Sequence, residues 1–402
     1  MSEWKKVKLG EVSQYVNDKV AITATNESYY VSTDSMLKDR GGIIAPESIP
    51  SDGNVTKYQS DDILVSNIRP YFKKIWYSCR GGGCSNDVLV FRALEGVTSR
   101  YLYYILSGDT FFEHMMAGAN GTKMPRGNKK LILNYSFELP SLTTQHRIAT
   151  ILSRYDSLIE NYQKQIKLLE EAAQRLYKEW FVDFHFPGHE NTKIVDGVPE
   201  GWEKKRVSEI GKVITGKTPS TAKKEYYGGQ TPFITIPDMH TGIYPTSSLF
   251  LSSLGANSQS GKFIPVNSLM VSCIGTAGLV CITKEDCQTN QQINSLVLND
   301  ISLLYYLYNT FLSLREHLNN IGSNGATMTN VNKSKFESIE ILIPTNSISY
   351  LYNKAVEPSF RSIKTLSSQI RLLTEARDRL LTKLMSGEIE LDGERPERPT
   401  TS

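Results

Sequence analysis

The sequence predicts an α+β protein made of two tandem copies of one unit, each copy ending in a long helix. Three observations support this prediction: an internal repeat, short β-rich runs separated by Gly, Pro, Asn and Ser, and two matching heptad patterns. The chain has 402 residues, of which 40% are hydrophobic and 22% are charged. This composition is typical of a globular protein with a sizeable core and excludes disorder as the dominant state.

The repeat has a constant offset of 204 residues. Segment 120–140, NGTKMPRGNKKLILNYSFELP, aligns without a gap with segment 324–344, NGATMTNVNKSKFESIEILIP. At the same offset, QIKLLEEAAQRL (165–176) and QIRLLTEARDRL (369–380) share eight of twelve residues. A fixed period of this kind indicates two copies of one structural unit.

The first part of each copy mixes strands and helices. The runs ILVSNI, DVLVF, PFITI, LMVSCIG and NSLVL are short and rich in β-branched residues, whereas YLYYILSGDTFFEHMM and LLYYLYNTFLSLREHL have helical patterns. We therefore expect an α+β globular domain at the start of each copy.

Each copy then ends in a heptad seam. The first seam consists of Leu152, Tyr155, Ile159, Tyr162, Ile166, Leu169, Ala173, Leu176 and Trp180. The second consists of Val356, Ile363, Leu366, Ile370, Leu373, Leu380 and Leu384, with Ser359 and Arg377 as polar exceptions. One such helix alone could pack on its own domain, but two matching seams favour an antiparallel coiled coil within the chain. The first helix, from about Gln145 to Phe181, would be roughly 55 Å long at 1.5 Å per residue.

Charge and cysteine content narrow the function. The net charge of +3 carries no global signature of nucleic-acid binding, so any basic surface must be local. The five cysteines, Cys79, Cys84, Cys273, Cys281 and Cys287, have no CxxC spacing, and we expect neither disulfides nor a metal site. With no signal-peptide pattern and no long apolar run, the expected location is the cytoplasm and no membrane contact is expected.

Two stretches without acidic residues carry the DNA-binding candidates of the first copy. One lies between Asp62 and Asp87 and the other between Glu113 and Glu138. They could form a positive face that neutralises DNA phosphates, or merely a solvated charged surface. The DNA-binding candidates here are Arg69, Tyr71, Lys73, Lys74, Arg80, Lys123, Arg126, Lys129 and Lys130.

The segment GKVITGKT, from Gly211 to Thr218, satisfies the GxxxxGK[ST] phosphate-loop pattern. Such a loop needs a buried strand before it and a helix after it, but a charged segment precedes it and Pro219 follows. A nucleotide hydrolase is therefore an alternative function, and a contact between Lys217 and DNA phosphate is the preferred interpretation. No catalytic residue, metal ligand or cofactor site is otherwise evident.

The order and duplication of these features resemble the specificity subunit of type I restriction-modification enzymes. The motifs that carry the resemblance are LPSLTTQHRIATIL before the first helix, GWE at Gly201, GKTPS at Gly216, IGTAG at Ile274, TNQQI at Thr289 and the segment ending at Pro344. The first copy departs from this pattern, because SNDVL at Ser85 replaces TNQQI.

The resemblance implies a non-catalytic protein with two target recognition domains, each of which reads one half of a split DNA sequence. The helices would separate the half-sites and dock two methyltransferase subunits, which methylate adenine, and restriction subunits would join through the complex. We expect target recognition domain 1 at 1–142, a central helix at 143–185, a linker and target recognition domain 2 at 186–345, a distal helix at 346–391 and a disordered tail at 392–402. A coiled-coil scaffold without DNA affinity is a second alternative.

In the second copy basic residues are sparser, and amides supplement them as potential base readers. The TNQQIN run could also be simple turn chemistry before a strand. The candidates for DNA binding are Lys217, Thr218, Lys223, Lys224, Thr276, Asn290, Gln291, Gln292, Thr327, Asn330, Lys333 and Lys335.

Large aromatic residues cluster at the end of the first helix and exceed what a two-stranded seam can bury. We expect Tyr177, Trp180, Phe181 and Phe184 to contact a methyltransferase subunit, with burial against the globular domains as the alternative.

Overall fold

The computed structural model describes residues 4–24, 29–121, 123–323 and 330–389, and these form the predicted α+β fold of two tandem copies. The strands of the first copy are β1 Lys5–Lys8, β2 Ser13–Tyr15, β3 Lys19–Ala21, β4 Tyr30–Val31, β5 Asn54–Tyr58, β6 Ile63–Ser66, β7 Ile75–Tyr77, β8 Gly82–Cys84, β9 Val88–Ala93 and β10 Ser136–Leu139. Its helices are α1 Leu9–Val12, α2 Ser99–Ser107, α3 Asp109–Ala117, α4 Lys129–Ile132 and the long α5 Leu142–Tyr177.

The second copy has the same plan. Its strands are β11 Ile194–Val195, β12 Val198–Pro199, β13 Glu203–Arg206, β14 Gly211–Thr215, β15 Tyr227–Ile234, β16 Leu249–Leu251, β17 Leu269–Ser272, β18 Val280–Ile282, β19 Gln288–Thr289, β20 Ile293–Leu298 and β21 Glu340–Ile343. Its helices are α6 Val207–Ile210, α7 Ile236–Met239, α8 Ser253–Asn257, α9 Leu304–Ser313, α10 Arg315–Ser323, α11 Lys333–Glu337 and the long α12 Asn346–Met385.

The central sheet has an equivalent strand order in the two copies. It runs β2-β9-β6-β7 in the first copy and β14-β20-β17-β18 in the second, and all these neighbours pair antiparallel. All four residues of β6 and all four of β17 are buried, which explains why ILVS and LMVS are continuously apolar up to the last residue. A two-stranded sheet, β1-β10 or β13-β21, joins the start of each copy to the strand before its long helix.

Contacts divide the described residues into two compact units. The first unit lies within Met1–Leu158 and Leu373–Ser402, and the second is Ile159–Leu372. Each unit therefore combines a globular domain with segments of both long helices. The domain boundaries derived from the sequence follow the copies instead, and they stay a prediction.

In the first unit, the start of α5 packs against the end of α12. Ala149 and Leu152 share a hydrophobic core with Leu381 and Leu384, and the Asp156 carboxylate lies 2.9 Å from the Arg377 guanidinium. This ion pair explains why Arg377 interrupts the apolar seam. Later residues of α5 meet earlier residues of α12, so the two helices are antiparallel here.

The second unit has the same antiparallel order. Leu169 lies beside Leu366 in a cleft of about 570 Å³, and the Tyr352 hydroxyl donates a 3.2 Å hydrogen bond to the carbonyl of Ala173. The predicted antiparallel coiled coil is thus confirmed within each unit. Every seam residue of α5 and α12 is buried or half-buried.

The predicted bounds of the first helix are close to the observed ones. The helix begins at Leu142 rather than Gln145, and a π-helical turn, Lys178–Val182, extends it beyond Tyr177. Gln145 is buried and its side chain bonds the carbonyls of Gly96 and Pro140 at 3.1 and 3.0 Å. Gln145, the predicted start of the helix, therefore attaches the helix to the first globular domain.

The aromatic residues at the end of α5 pack into the hydrophobic core of the second unit. Phe181 is 7% exposed, and its ring centroid lies 4.6 Å from that of Tyr306 and 4.8 Å from that of Tyr352. Tyr177, Trp180 and Phe184 pack around the same core. Phe181 is buried and the other three are half-buried against the second globular domain, which favours the stated alternative, while their contact with a methyltransferase subunit stays a prediction.

Replacing Phe181 with Ala should lower the free energy of unfolding by about 3–5 kcal/mol, because it removes a buried ring and leaves a cavity. The exposed neighbour Val182, replaced with Ala, is the matched control and should change stability by less than about 0.5 kcal/mol. Urea unfolding monitored by tryptophan fluorescence measures both. Equal stability of the two variants would contradict the placement of Phe181 in the core.

Candidate nucleic-acid interface

The two basic stretches of the first copy lie side by side. Ile68 and Arg126 form an isolated β-bridge, the Arg69 amide donates to the carbonyl of Pro125 at 2.8 Å, and the Gly127 amide donates to the carbonyl of Asn67 at 3.2 Å. These bonds attach the loop before α4 to the segment that leaves β6. The chain thus brings Arg69, Tyr71, Lys73, Lys74, Lys123 and Arg126 into one group, which we call the first loop cluster.

Acidic side chains offset part of its charge. Lys73 pairs with Asp109 at 2.8 Å and Arg126 pairs with Asp87 at 3.1 Å, while Lys74 donates to the carbonyl of Thr33 at 2.6 Å. Burial, with the nearby Lys38 charge, lowers the pKa of Lys74. The hydrogen bond from Lys73 lowers the pKa of Asp109, which stays ionised. Stretches free of acids in the sequence are therefore not free of acids in space.

The other basic candidates of this copy differ in exposure. Lys123, Lys129 and Lys130 are exposed, and the Asn128 side chain caps α4 by accepting bonds from the Lys130 and Leu131 amides. Arg80 stacks on the ring of Tyr29 at 4.3 Å and lies near that of Trp76 at 5.9 Å. The first three are available for phosphate contact, whereas Arg80 is held between aromatic rings.

Arg69 and Lys73 bracket a short 3₁₀ turn, Pro70–Phe72, and each has φ of 49°. Left-handed backbone is uncommon for residues with a side chain, and strained residues of this kind cluster at functional sites. The turn presents Tyr71, which is 46% exposed.

In the second copy, the end of β14 meets the loop before β20. The Lys217 amide donates to the carbonyl of Thr289 at 2.9 Å, and the Thr218 hydroxyl donates to the Gln291 side chain at 2.7 Å. A Cβ on Gly216 would lie 2.1 Å from the carbonyl oxygen of Asn290, so only glycine allows this approach.

The same loop reaches the end of β17. The Asn290 side-chain amide donates to the Gln292 side-chain oxygen at 3.0 Å, and the Gln292 side-chain amide donates to the carbonyl of Ile274 at 3.4 Å. Ile274 in turn forms an isolated β-bridge with Asn330. Exposed Thr276 follows two residues later. Lys217, Thr218, Thr276, Asn290, Gln291, Gln292 and Asn330 therefore form a second loop cluster.

The phosphate-loop interpretation of Gly211–Thr218 is wrong. Residues Gly211–Thr215 are strand β14, paired with β20, and the Gly216 and Lys217 amides already donate to the carbonyls of Ile293 and Thr289. The short turn Lys224–Tyr226, and no longer helix, follows before β15. Backbone amides engaged in this way cannot cradle a phosphate.

The remaining candidates of the second copy lie outside the second loop cluster. Lys223 donates to the Tyr226 hydroxyl at 3.1 Å, next to exposed Lys224. Lys333 pairs with Glu337 at 3.4 Å, and the Lys335 amine donates to the carbonyl of Ile321 at 2.8 Å. Thr327 lies outside the described residues.

The two loop clusters have equivalent backbone bonds. The Asn67 amide donates to the carbonyl of Asp87 as the Cys273 amide does to that of Gln292, both at 2.8 Å. Ser85–Asp87 thus corresponds to Asn290–Gln292, which shifts the alignment of SNDVL with TNQQI by one residue.

This correspondence identifies Asn86 and Lys19, which the sequence analysis missed. Asn86 takes the place of Gln291, and the Lys19 amine donates to the Asn86 side chain at 2.7 Å. Counting along β2 and β14 from their pairing with β9 and β20 gives Lys19 the place of Lys217. The constant offset of 204 residues does not hold in this region. Strand register is the signal that identifies Lys19 as the counterpart of Lys217.

Reactive groups are scarce in the part of the chain that the structure describes. There, no group of three or more His, Cys, Asp or Glu side chains is placed to hold a metal ion. Burial raises the pKa of Cys84, Cys273, Cys281 and Cys287 to about 12, which keeps these thiols protonated and poorly nucleophilic. None of the described helices is both long enough and apolar enough to cross a bilayer.

Comparison with known proteins identifies the family. Residues 1–171 and 199–351 match the type I restriction modification DNA specificity domain. The chain is 31% identical to the type I restriction enzyme HindI specificity subunit of Haemophilus influenzae, over 97% of this chain and 100% of that one. It is 30% identical to the MjaIX specificity subunit of Methanocaldococcus jannaschii, over 74% and 71% of the two chains.

The fold is also similar to a solved structure. The S subunit of a type I restriction-modification system from M. genitalium matches with a TM-score of 0.60 and 14% identity, over 95% of this chain and 96% of that one. With the sequence matches, this fold of two tandem copies and two long helices shows that the chain belongs to the specificity subunits of type I restriction-modification systems.

Proposed function

We propose that this chain is the DNA-recognition subunit of a type I restriction-modification complex and reads a bipartite target, one half-site per copy. It performs no catalysis itself and directs adenine methylation and cleavage by partner chains. The observation that carries the proposal is the pair of loop clusters, built on equivalent backbone bonds with different side chains. Two copies of one scaffold with different side chains suit the reading of two different half-sequences.

For residues in and around the two loop clusters we assign two roles. Exposed lysines contact phosphates, which gives affinity without sequence information. Amide side chains contact base edges, because Asn and Gln pair bidentately with adenine in the major groove. Lys123, Lys129, Lys130 and Lys217 are the phosphate-contacting residues, and Asn86, Asn290, Gln291 and Gln292 are the base-reading ones.

A different surface than the aromatic residues of α5 suits the methyltransferase subunits. In the second unit, Leu168 of α5 is 64% exposed and lines the cleft of about 570 Å³ with Leu169 and Leu366. Exposed apolar side chains next to a cleft are typical of protein-binding sites. We propose that a methyltransferase subunit docks here.

Replacing both Lys129 and Lys130 with Ala should weaken binding to every duplex similarly. The slope of log K against log salt should become shallower by about 0.9 per lost phosphate contact. Fluorescence anisotropy with target and non-target duplexes at several salt concentrations measures this effect. The matched control is Lys164→Ala with Lys167→Ala, exposed lysines of α5. Relaxed specificity in one half-site at unchanged affinity would instead make these two lysines base readers.

Gln291→Ala and Asn86→Ala should relax different halves of the target. Each loses a base contact worth about 1–3 kcal/mol of discrimination, because a mismatch is no longer penalised at that position. Methylome sequencing of cells carrying either variant shows which half changes. If both variants relaxed the same half, the assignment of one half-site to each copy would be wrong.

Leu168→Glu should reduce copurification with the methyltransferase subunit without changing the melting temperature, because the side chain is exposed. Gln163→Glu adds the same charge at another exposed position of α5 and should copurify normally. A folded Leu168→Glu chain that retains its partner as well as the control does would remove this cleft from the proposal.

A further inference from the structure

A half-buried ion group lies between the long helices in the first unit. The Asp156 carboxylate of α5 accepts hydrogen bonds from the Arg377 guanidinium of α12 at 2.9 Å and from the Tyr104 hydroxyl of α2 at 2.5 Å. Arg100 completes the group at 3.6 Å. The Arg377 and Asp156 side chains are 13% and 18% exposed. Water therefore screens this pair only partly.

The equivalent residues in the second unit are uncharged. At the offset of 204 residues, Phe360 takes the place of Asp156 and Ala173 that of Arg377, and both belong to one hydrophobic core. These positions are therefore charged in the first unit and uncharged in the second.

Arg100 also has an uncharged counterpart, Tyr305. The hydroxyls of Tyr101 and Tyr306, the next residue in each case, donate to the equivalent carbonyls of Glu138 and Leu342. The Tyr305 ring stacks on Phe360 with centroids 4.1 Å apart. An aromatic pair in one unit thus replaces an ion pair in the other.

An ion pair and an apolar seam differ in how strictly they fix the heptad register between two paired helices. A heptad seam of apolar residues repeats every seven residues, so a one-heptad slip keeps apolar residues opposed. One heptad on either side of Asp156 lie Ala149 and Gln163, which carry no charge. A slip would separate the half-buried Arg377 guanidinium from the Asp156 carboxylate and leave it only its neighbour Asp378, 2.9 Å away in the same helix, which is unfavourable.

We propose that Asp156 and Arg377, with Arg100 and Tyr104, are positioning residues that fix the heptad register between α5 and α12. The second part of this inference rests on the proposed function: the register between the helices also fixes the number of base pairs between the two half-sites. A purely stabilising role would predict a change in stability and no change in register.

The test removes the charges and keeps the packing. Arg100→Tyr, Asp156→Phe and Arg377→Ala transplant the second unit's own residues, so the full chain should fold with an equal or higher melting temperature. Spin labels are attached at Ser157→Cys and Thr382→Cys, which are both exposed and both in the first unit. The distance between the two labels, measured by double electron–electron resonance, reports the register. Exposed Cys79 is replaced with Ser to keep labelling selective, since the other four cysteines are buried.

With the native ion group we expect one narrow distance, and in the triple variant a second population displaced by about 10 Å, the length of one heptad. Asp156→Glu with Arg377→Lys keeps both charges and should restore the single distance. Asp156→Asn with Arg377→Gln is the second test if the triple variant does not fold, and it should broaden the distances in the same way. A single native distance in the variants without charge would overturn the proposal.

The methylated motif separates this inference from the proposed function. In complex with its partners, the triple variant should methylate targets with more than one spacer length, whereas the charge-conserving pair should keep the native spacer. A shifted register in the distance measurement with an unchanged spacer would contradict the link to target spacing and leave the positioning role intact.

Discussion

Neither globular domain completes its core with residues of its own copy alone. The first unit includes Leu381 and Leu384 from the end of α12, and the second includes Ala173 and Phe181 from α5 and the turn that follows it. The pairing of the long helices is therefore part of the folding of both domains. Shared cores of this kind mean that a change in the helix pair affects the domains as well as the distance that the helices span.

The two copies share the backbone that holds their loops but differ in the side chains that the loops carry. Backbone bonds at the ends of β6 and β17 are equivalent, so each copy holds its loops at the same sheet edge. The side chains differ: Asn86 and Asp87 with Arg126 in the first copy, Gln291 and Gln292 with Asn330 in the second. A subunit for split targets can thus change its readout in one half without altering the scaffold.

Periodicity made the helices and their pairing predictable. A heptad seam is a local pattern, and two seams at one offset left few other partners for either helix. The burial of Phe181 was not predictable in the same way, because it depends on Tyr306 and Tyr352, which are far away in sequence.

The site was predictable only in part for a similar reason. Lys217 and Gln291 stood out as residue types, but Lys19 became visible only through strand register. Asp109 and Asp87 pair with Lys73 and Arg126 of the first loop cluster through tertiary contacts that no short window of the sequence contains. Net charge along the chain therefore overestimated the positive charge of that surface.

The central claim is that the paired helices set the distance between two half-sites. Deleting Ile166–Ala172 together with Ile370–Ala376 shortens both helices by one heptad and keeps the Asp156–Arg377 pair and the Ala173 and Phe360 positions. One heptad is about 10 Å of helix, or about three base pairs of B-DNA. Sequencing the methylome of cells carrying the deleted chain should show the same two half-sequences with a spacer about three base pairs shorter. A stable, active variant that methylates the original spacer would contradict the claim.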